Sequence, residues 1–229
     1  MTTSTFSHET KYWFLRNHKL FSVLNRDEMQ EICLISNFKT AKKGEIIYFS
    51  HDDLQRVYTL KKGIIKIVET NDDGSETIKD VLQAGDLFGQ VALDSQEINE
   101  FAVAMSDYVT ICSFKIEDFE SVISKNPALA ISYTKLVGLR FKRLQNRYAN
   151  LVSKDVKTRL RIFLKEWAAK ESNGATKDIV IKNYLTHQDI ASLICSTRQT
   201  VTQLLNDLKT SGLVDYTRNE ILIADLTKL

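Results

Sequence analysis

From Thr197 the chain runs Thr-Arg-Gln-Thr-Val-Thr-Gln, and the apolar residues Val201, Leu204, Leu205 and Leu208 recur at helical spacing. The other face of such a helix carries Arg198, Gln199, Thr202, Gln203 and Asn206. Guanidinium and amide groups offer paired donors and acceptors that match base edges in a major groove. They sit at or near the helix start, the end that enters a groove. A helical hairpin in an ordinary core, with Arg198 and Gln203 merely solvated, is the competing reading. The length and near-neutrality of the polar face favour nucleic acid.

The preceding segment, Leu185 to Ile194, supplies a support for this helix. Thr186 can cap a helix, and Asp189 three residues later meets free first-turn N–H groups. Ile190, Leu193 and Ile194 form a buried face, and the small Ala191 lets a second helix approach. Cys195-Ser196 makes the turn, and Thr197 caps the helix that follows. Beyond it, Leu213–Tyr216 and Ile221–Ala224 flank a polar turn at Thr217–Glu220, and a further helix is expected upstream from Lys154 to Lys170. Helices closed by a small hairpin describe a winged helix-turn-helix. Residues 153–229 hold 12 Lys and Arg against 9 Asp and Glu, a slight basic excess.

Asn126-Pro127, which contains the only proline, suits a helix start, and no strong breaker except Gly138 follows for some 25 residues. Val137, Phe141, Leu144, Tyr148 and Leu151 alternate steps of four and three, continuing back through Thr134 to Ala130. That is the pattern of a helix seam between two copies. Leu129, Tyr133 and Leu136 form a second stripe that can pack on the chain's own core, and the two stripes together with Arg140, Lys142, Arg143 and Arg147 favour a helix that contacts two partners over one amphipathic helix on its own core. Val137, Phe141, Leu144 and Tyr148 are therefore the expected homodimer contacts.

Between Phe38 and Phe114, short β-prone runs (Glu45–Phe49, Val57–Leu60, Ile64–Val68, Thr77–Leu82, Val109–Phe114) alternate with glycine turns. Two short helices around Asn25-Arg26-Asp27-Glu28 precede them, with Leu20, Phe21, Leu24, Met29 and Ile32 as core. The expected fold class is α+β: a jelly-roll or β-roll sensor domain (1–126), a dimerisation helix (127–152) and a winged helix-turn-helix (153–229).

With 229 residues, 43% hydrophobic and 26% charged, the chain can bury a sizeable core, and a net charge of +2 announces no polyanion partner by itself. Cys33, Cys112 and Cys195 show neither metal nor redox spacing, and no apolar run is long enough for a membrane span. A cytoplasmic protein with no membrane partner is expected.

The signature Leu185-Thr186 through Ile190-Ala191, with Thr197 to Leu205, resembles the Crp/Fnr family of bacterial transcription regulators. Upstream, Lys43-Gly44-Glu45, Val57-Tyr58-X-Leu60-X-X-Gly63 and Gly85-Asp86-Leu87-Phe88-Gly89 resemble the cyclic-nucleotide-binding pattern of that family. The resemblance implies that Arg198, Gln199 and Gln203 touch bases, and that His187, Gln188 and Thr200 touch phosphate, beside Thr197 and Thr202. Gln199 and Gln203 stand where many members carry Glu and Arg, so the preferred bases should differ. Cys195 replaces a turn glycine, which weakens the argument for a turn and leaves Cys195 as a structural rather than a redox-active residue. RNA polymerase is the further partner that the resemblance permits.

By the same resemblance, Gly85, Phe88, Gly89, Gln90, Asn99, Glu100 and Phe101 frame the effector pocket. Gln90 replaces the ribose-binding glutamate, and the arginine for the cyclic phosphate is lost within Asn99-Glu100-Phe101. A carboxylate facing a phosphodiester repels it, so cyclic AMP is not the expected ligand. Either another small molecule enters, or Phe88 and Phe101 fill the site as a scaffold. An iron–sulfur sensor would need clustered cysteines, whereas only Cys33 lies near the N-terminus; haem would need His18 or His51. No cofactor is expected. A jelly-roll metal enzyme would need converging histidines, but His8, His18, His51 and His187 are scattered and no catalytic motif is present. A sensor acting on a protein partner is the other alternative.

Overall fold

Ser7 accepts a hydrogen bond from the Thr10 N–H and opens α1 (His8–Asn17); Asn25 and Glu28 form a reciprocal capping box that opens α2 (Arg26–Ile35). The cap expected at Asn25 is present. The computed structural model describes residues 7–49, 56–89, 99–172 and 174–229. The chain divides into two units, residues 1–142 and 143–229.

In the N-terminal unit the described strands are β1 (Asn37–Lys42), β2 (Ile46–Phe49), β3 (Arg56–Lys62), β4 (Ile64–Thr70), β5 (Glu76–Gln83), β6 (Leu87–Gly89), β7 (Glu100–Ala104) and β8 (Tyr108–Lys115). They pair antiparallel in two sheets, β1-β8-β3-β6 and β2-β7-β4-β5, which is a jelly roll. Ile65, Ile67, Leu82, Ala102, Ile111 and their neighbours fill the space between the sheets. A second core joins α1 and α2 to the outer face of the β8 sheet, and α3 (Ile116–Lys125) and the start of α4 (Pro127–Ser153) complete it. Leu129 is fully buried there and Tyr133 and Leu136 pack against it, as the second stripe requires.

Phe114 of β8 is central to this second core. Its ring lies 5.6 Å from Phe21 and 5.9 Å from Phe119, which in turn meets Tyr133 of α4 at 5.7 Å. Burying each phenylalanine contributes about 2 kcal/mol, so the chain of rings holds sheet, helices and α4 as one body. Arg140 adds a polar clamp, donating to the Leu87 carbonyl on one sheet and pairing with Asp80 on the other at 3.8 Å.

His18 pins the helical layer to the turn before β6. The Leu20 N–H donates to its Nδ1 at 3.2 Å, so the ring proton is on Nε2, which donates to the Gly85 carbonyl at 3.1 Å. Burial lowers its pKa, partly opposed by the Gly85 bond and Asp86.

In the C-terminal unit, Asp155 caps α5 (Val156–Glu171), followed by β9 (Lys177–Lys182), α6 (His187–Leu193), α7 (Arg198–Thr210), β10 (Val214–Tyr216) and β11 (Glu220–Asp225). The wing is larger than the hairpin expected: β9 pairs with β11 to give the order β10-β11-β9. The Ile179-Val180-Ile181 run hid this strand, because Val180, on its outward face, is as apolar as its buried neighbours. Other unforeseen elements have similar reasons. Helix α3 lacks a side-chain cap at Lys115, β1 lacks clean alternation, and β6 is three residues long.

The turn after α6 is stronger than Cys195 suggested. Ser196 N–H bonds the Ala191 carbonyl at 2.8 Å, Cys195 N–H bonds Ser192 at 3.3 Å, and Cys195 has φ +51°. This is the helix-ending motif that usually places glycine at the left-handed residue. Arg159 of α5 seals it, donating to the carbonyls of Ile194 and Cys195 at 2.9 and 3.1 Å.

Two stability outcomes follow from these contacts. A histidine kept neutral by burial binds its proton more readily when unfolded, so its stabilisation is complete above about pH 6.5 and declines as pH falls below that. The urea midpoint of the wild type should therefore drop more between pH 7 and pH 5 than that of His18→Gln; parallel curves would show that the buried ring is not the group responsible. At the turn, Cys195→Gly relieves the left-handed penalty and should stabilise by about 0.5–1 kcal/mol, whereas Cys195→Val should cost about 1–2 kcal/mol in thermal unfolding. Equal stability of both variants would contradict the strained turn.

Candidate nucleic-acid interface

Thr186 Oγ1 accepts from the Asp189 N–H at 3.1 Å and Asp189 returns a carboxylate oxygen to the Thr186 N–H at 2.8 Å, so α6 begins in a closed box. Ile190 and Ala191 are buried beneath it. Thr197 accepts from the Thr200 N–H at 3.2 Å and caps α7, whose Val201, Leu205 and Leu208 are buried; Leu204 is half-buried. Anchored this way, α7 presents Arg198, Gln199, Thr202, Gln203 and Asn206 along one open groove of about 520 Å³. Gln188 and Thr197 are exposed beside it, and Thr200 is half-buried.

His187 is tied to the same face. The Thr202 hydroxyl donates to the Arg198 carbonyl at 2.9 Å, so it accepts from His187 Nδ1, 2.8 Å away. Burial, and then the nearby Arg198 guanidinium, lower the pKa of His187. The neutral ring therefore carries its proton on Nδ1, and Nε2 gains a donor only on protonation.

The wing contributes side chains that the sequence did not single out. Tyr216 of β10 meets the His187 ring at 5.5 Å and donates its hydroxyl to Asn206 Oδ1 at 2.9 Å. Lys209 pairs with Asp215 at 2.6 Å, both exposed, which stabilises little in water. Thr217 Oγ1 accepts from the N–H groups of Asn219 and Glu220, fixing a turn that exposes Arg218. A lone basic residue in a polar hairpin turn was the available signal for Arg218; nothing local signals Tyr216.

The residues expected to frame an effector pocket are divided between the two sheets of the N-terminal unit. Gly85 turns the chain with φ +92° and its carbonyl accepts from His18. Phe88 of β6 is buried and stacks on Tyr58 at 5.1 Å. Gly89 has φ +101°, and a Cβ there would lie 2.4 Å from the Arg56 carbonyl. Across the roll, Asn99 accepts from the Thr70 N–H, Phe101 is half-buried, and Glu100 pairs with Lys79 at 3.2 Å, which also pairs with Glu69. Gln90 and His51 lie outside the described residues. His18, with both nitrogens bonded, offers no free atom to a haem iron. Among the described residues no three His, Cys, Asp or Glu side chains converge as a metal site would need, and no helix is long and apolar enough to cross a membrane.

Known proteins match this arrangement over both units. Residues 38–126 match the cyclic nucleotide-binding domain, and residues 158–229 the Crp-like helix-turn-helix domain. The global nitrogen regulator of Synechocystis is 30% identical over 188 residues, covering 81% of this chain and 83% of its own. The fumarate and nitrate reduction regulatory protein of Escherichia coli is 25% identical, covering 83% and 76%. The structure of a CooA mutant from Carboxydothermus hydrogenoformans superposes with a TM-score of 0.73 at 28% identity, covering 93% of this chain and 95% of CooA. These relatives include regulators of transcription, not enzymes, and the chain belongs to the Crp/Fnr family of DNA-binding transcription regulators.

Proposed function

We propose that two copies of the chain join through α4 and that the dimer reads an inverted-repeat DNA site. The exposed apolar stripe of α4 carries this reading. Val137, Phe141, Leu144 and Tyr148 are 46, 58, 60 and 68% exposed in the single chain and recur at seam spacing. Such a row on a soluble helix is costly until a second copy covers it. Residues 1–126 then form the sensor, 127–152 the dimerisation helix and 153–229 the DNA-binding domain, with the hinge at Leu151–Asp155.

Twofold pairing sets two α7 helices roughly 34 Å apart in successive major grooves. Arg198, Gln199 and Gln203 read bases, while Thr197, Thr200, Thr202, His187 and Gln188 hold the backbone. Cyclic AMP is not the controlling ligand. The Glu100–Lys79 pair supports this, because a phosphodiester entering there would face a carboxylate and have to displace it from its lysine. The pocket framed by Gly85, Phe88, Gly89, Gln90, Asn99, Glu100 and Phe101 takes another small molecule or acts as scaffold. The dimer works in the cytoplasm, and activation would run through RNA polymerase.

Selection of bound duplexes from a random pool, with and without cyclic AMP, tests the reading. A twofold-symmetric motif recovered without nucleotide is expected. A motif recovered only with cyclic AMP would overturn the sensor assignment, and no motif in either condition would favour control of a protein partner. Phe141→Glu and Leu144→Glu should sediment as monomers; an intact dimer refutes the seam. Arg198→Ala should weaken specific binding by about 1–3 kcal/mol and relax one position per half-site. Equal losses on specific and random duplex would assign Arg198 to phosphate instead.

A further inference from the structure

Asn206 lies two turns beyond Arg198 on the groove face of α7, and the bond that fixes its amide comes from the wing. A side-chain amide has one accepting arm and one donating arm. A free asparagine uses both at once on adenine, accepting from N6 and donating to N7. Here the Tyr216 hydroxyl donates to Asn206 Oδ1 at 2.9 Å, which occupies one of the two lone pairs of that oxygen and sets which way the amide faces.

Tyr216 is well placed to hold that orientation. Its ring is half-buried, meets the edge of His187 at 5.5 Å, and has the Lys209 ammonium 5.7 Å from its centroid. His187 is itself held by Thr202, so the ring of Tyr216 packs on a fixed neighbour from α6. That packing sets the hydroxyl beside Asn206.

We propose that Asn206 is a further base-reading residue and that Tyr216 is the positioning residue that holds its amide in one orientation. An amide held that way presents its donor and acceptor edges in a fixed order and fits one base better than the others, whereas an amide free to flip fits several. The inference rests on α7 lying in the major groove, as proposed above. It locates specificity at a position separate from those of Arg198, Gln199 and Gln203, roughly 12 Å along the helix from Arg198.

The test is duplex selection with the full-length wild type, Tyr216→Phe and Asn206→Ala. At one symmetric pair of positions the wild type should favour one base over the others, by roughly three- to ten-fold for a contact of this kind. Tyr216→Phe removes one hydroxyl and frees the amide, so the preference there should weaken or shift to another base while other positions hold. Asn206→Ala should flatten the same position, and adding Tyr216→Phe to it should change nothing further. Unchanged affinity for random duplex and an unchanged melting curve would confirm that Tyr216→Phe remains folded. A motif identical in all three proteins overturns the inference, as does uniform weakening at every position, which would mean that Tyr216 only braces the wing. A wild type that selects no motif overturns the base-reading role of α7 itself.

Discussion

Residue 195 must adopt a positive φ if α6 is to close its last turn on itself, and the direction in which α7 leaves is set there. Six groups depend on that geometry: the N–H groups of Cys195 and Ser196, the carbonyls of Ala191 and Ser192, and the carbonyls of Ile194 and Cys195 that accept from Arg159. A buried N–H or carbonyl left unpaired is expensive, so the turn has little freedom once α5 is in place. Burial of Val201, Leu205 and Leu208 then fixes the rotation of α7 about its own axis. Its polar face therefore points outward because every alternative would leave apolar or hydrogen-bonding groups unsatisfied.

Helix α4 meets a different constraint. One stripe, Leu129, Tyr133 and Leu136, is absorbed by the core around Phe114 and Phe119, and Arg140 ties the same side to both sheets. These contacts settle the rotation of its N-terminal half, so Val137 and Phe141 have to face away from that core. The stripe left over supports the dimer proposed above. Arg140 also ties the helix to both β5 and β6, so a shift of either strand would bear on it.

Local chemistry made much of this legible in the sequence. The boxes at Asn25 and Glu28 and at Thr186 and Asp189 pair residues three positions apart, and both form. The two stripes of α4 are periodicities, and the stripe on Leu129 packs as its spacing requires. Pairings made by the fold were not legible. Tyr216 and Asn206 stand on different elements, and nothing in the spacing of a tyrosine and an asparagine announces a bond. Glu100 and Lys79 meet only because β7 and β5 flank β4 in one sheet. Elements without a strong local signal, such as the uncapped α3, also escaped.

The glycine motif of the β-roll shows how one set of residues can serve two purposes. By resemblance Gly85 and Gly89 frame the effector pocket, yet each has a reason internal to the fold. Gly85 adopts φ +92° in the turn whose carbonyl receives His18, and Gly89 approaches the Arg56 carbonyl too closely for any side chain. Both would be required in a roll that never met a nucleotide. Retention of the motif therefore says little about the ligand. The informative positions are those that the backbone does not need, and among them the segment Asn99-Glu100-Phe101, where the resemblance expects a guanidinium, carries a carboxylate paired with Lys79. The geometry of the roll is held by packing and does not by itself choose among the occupants proposed above.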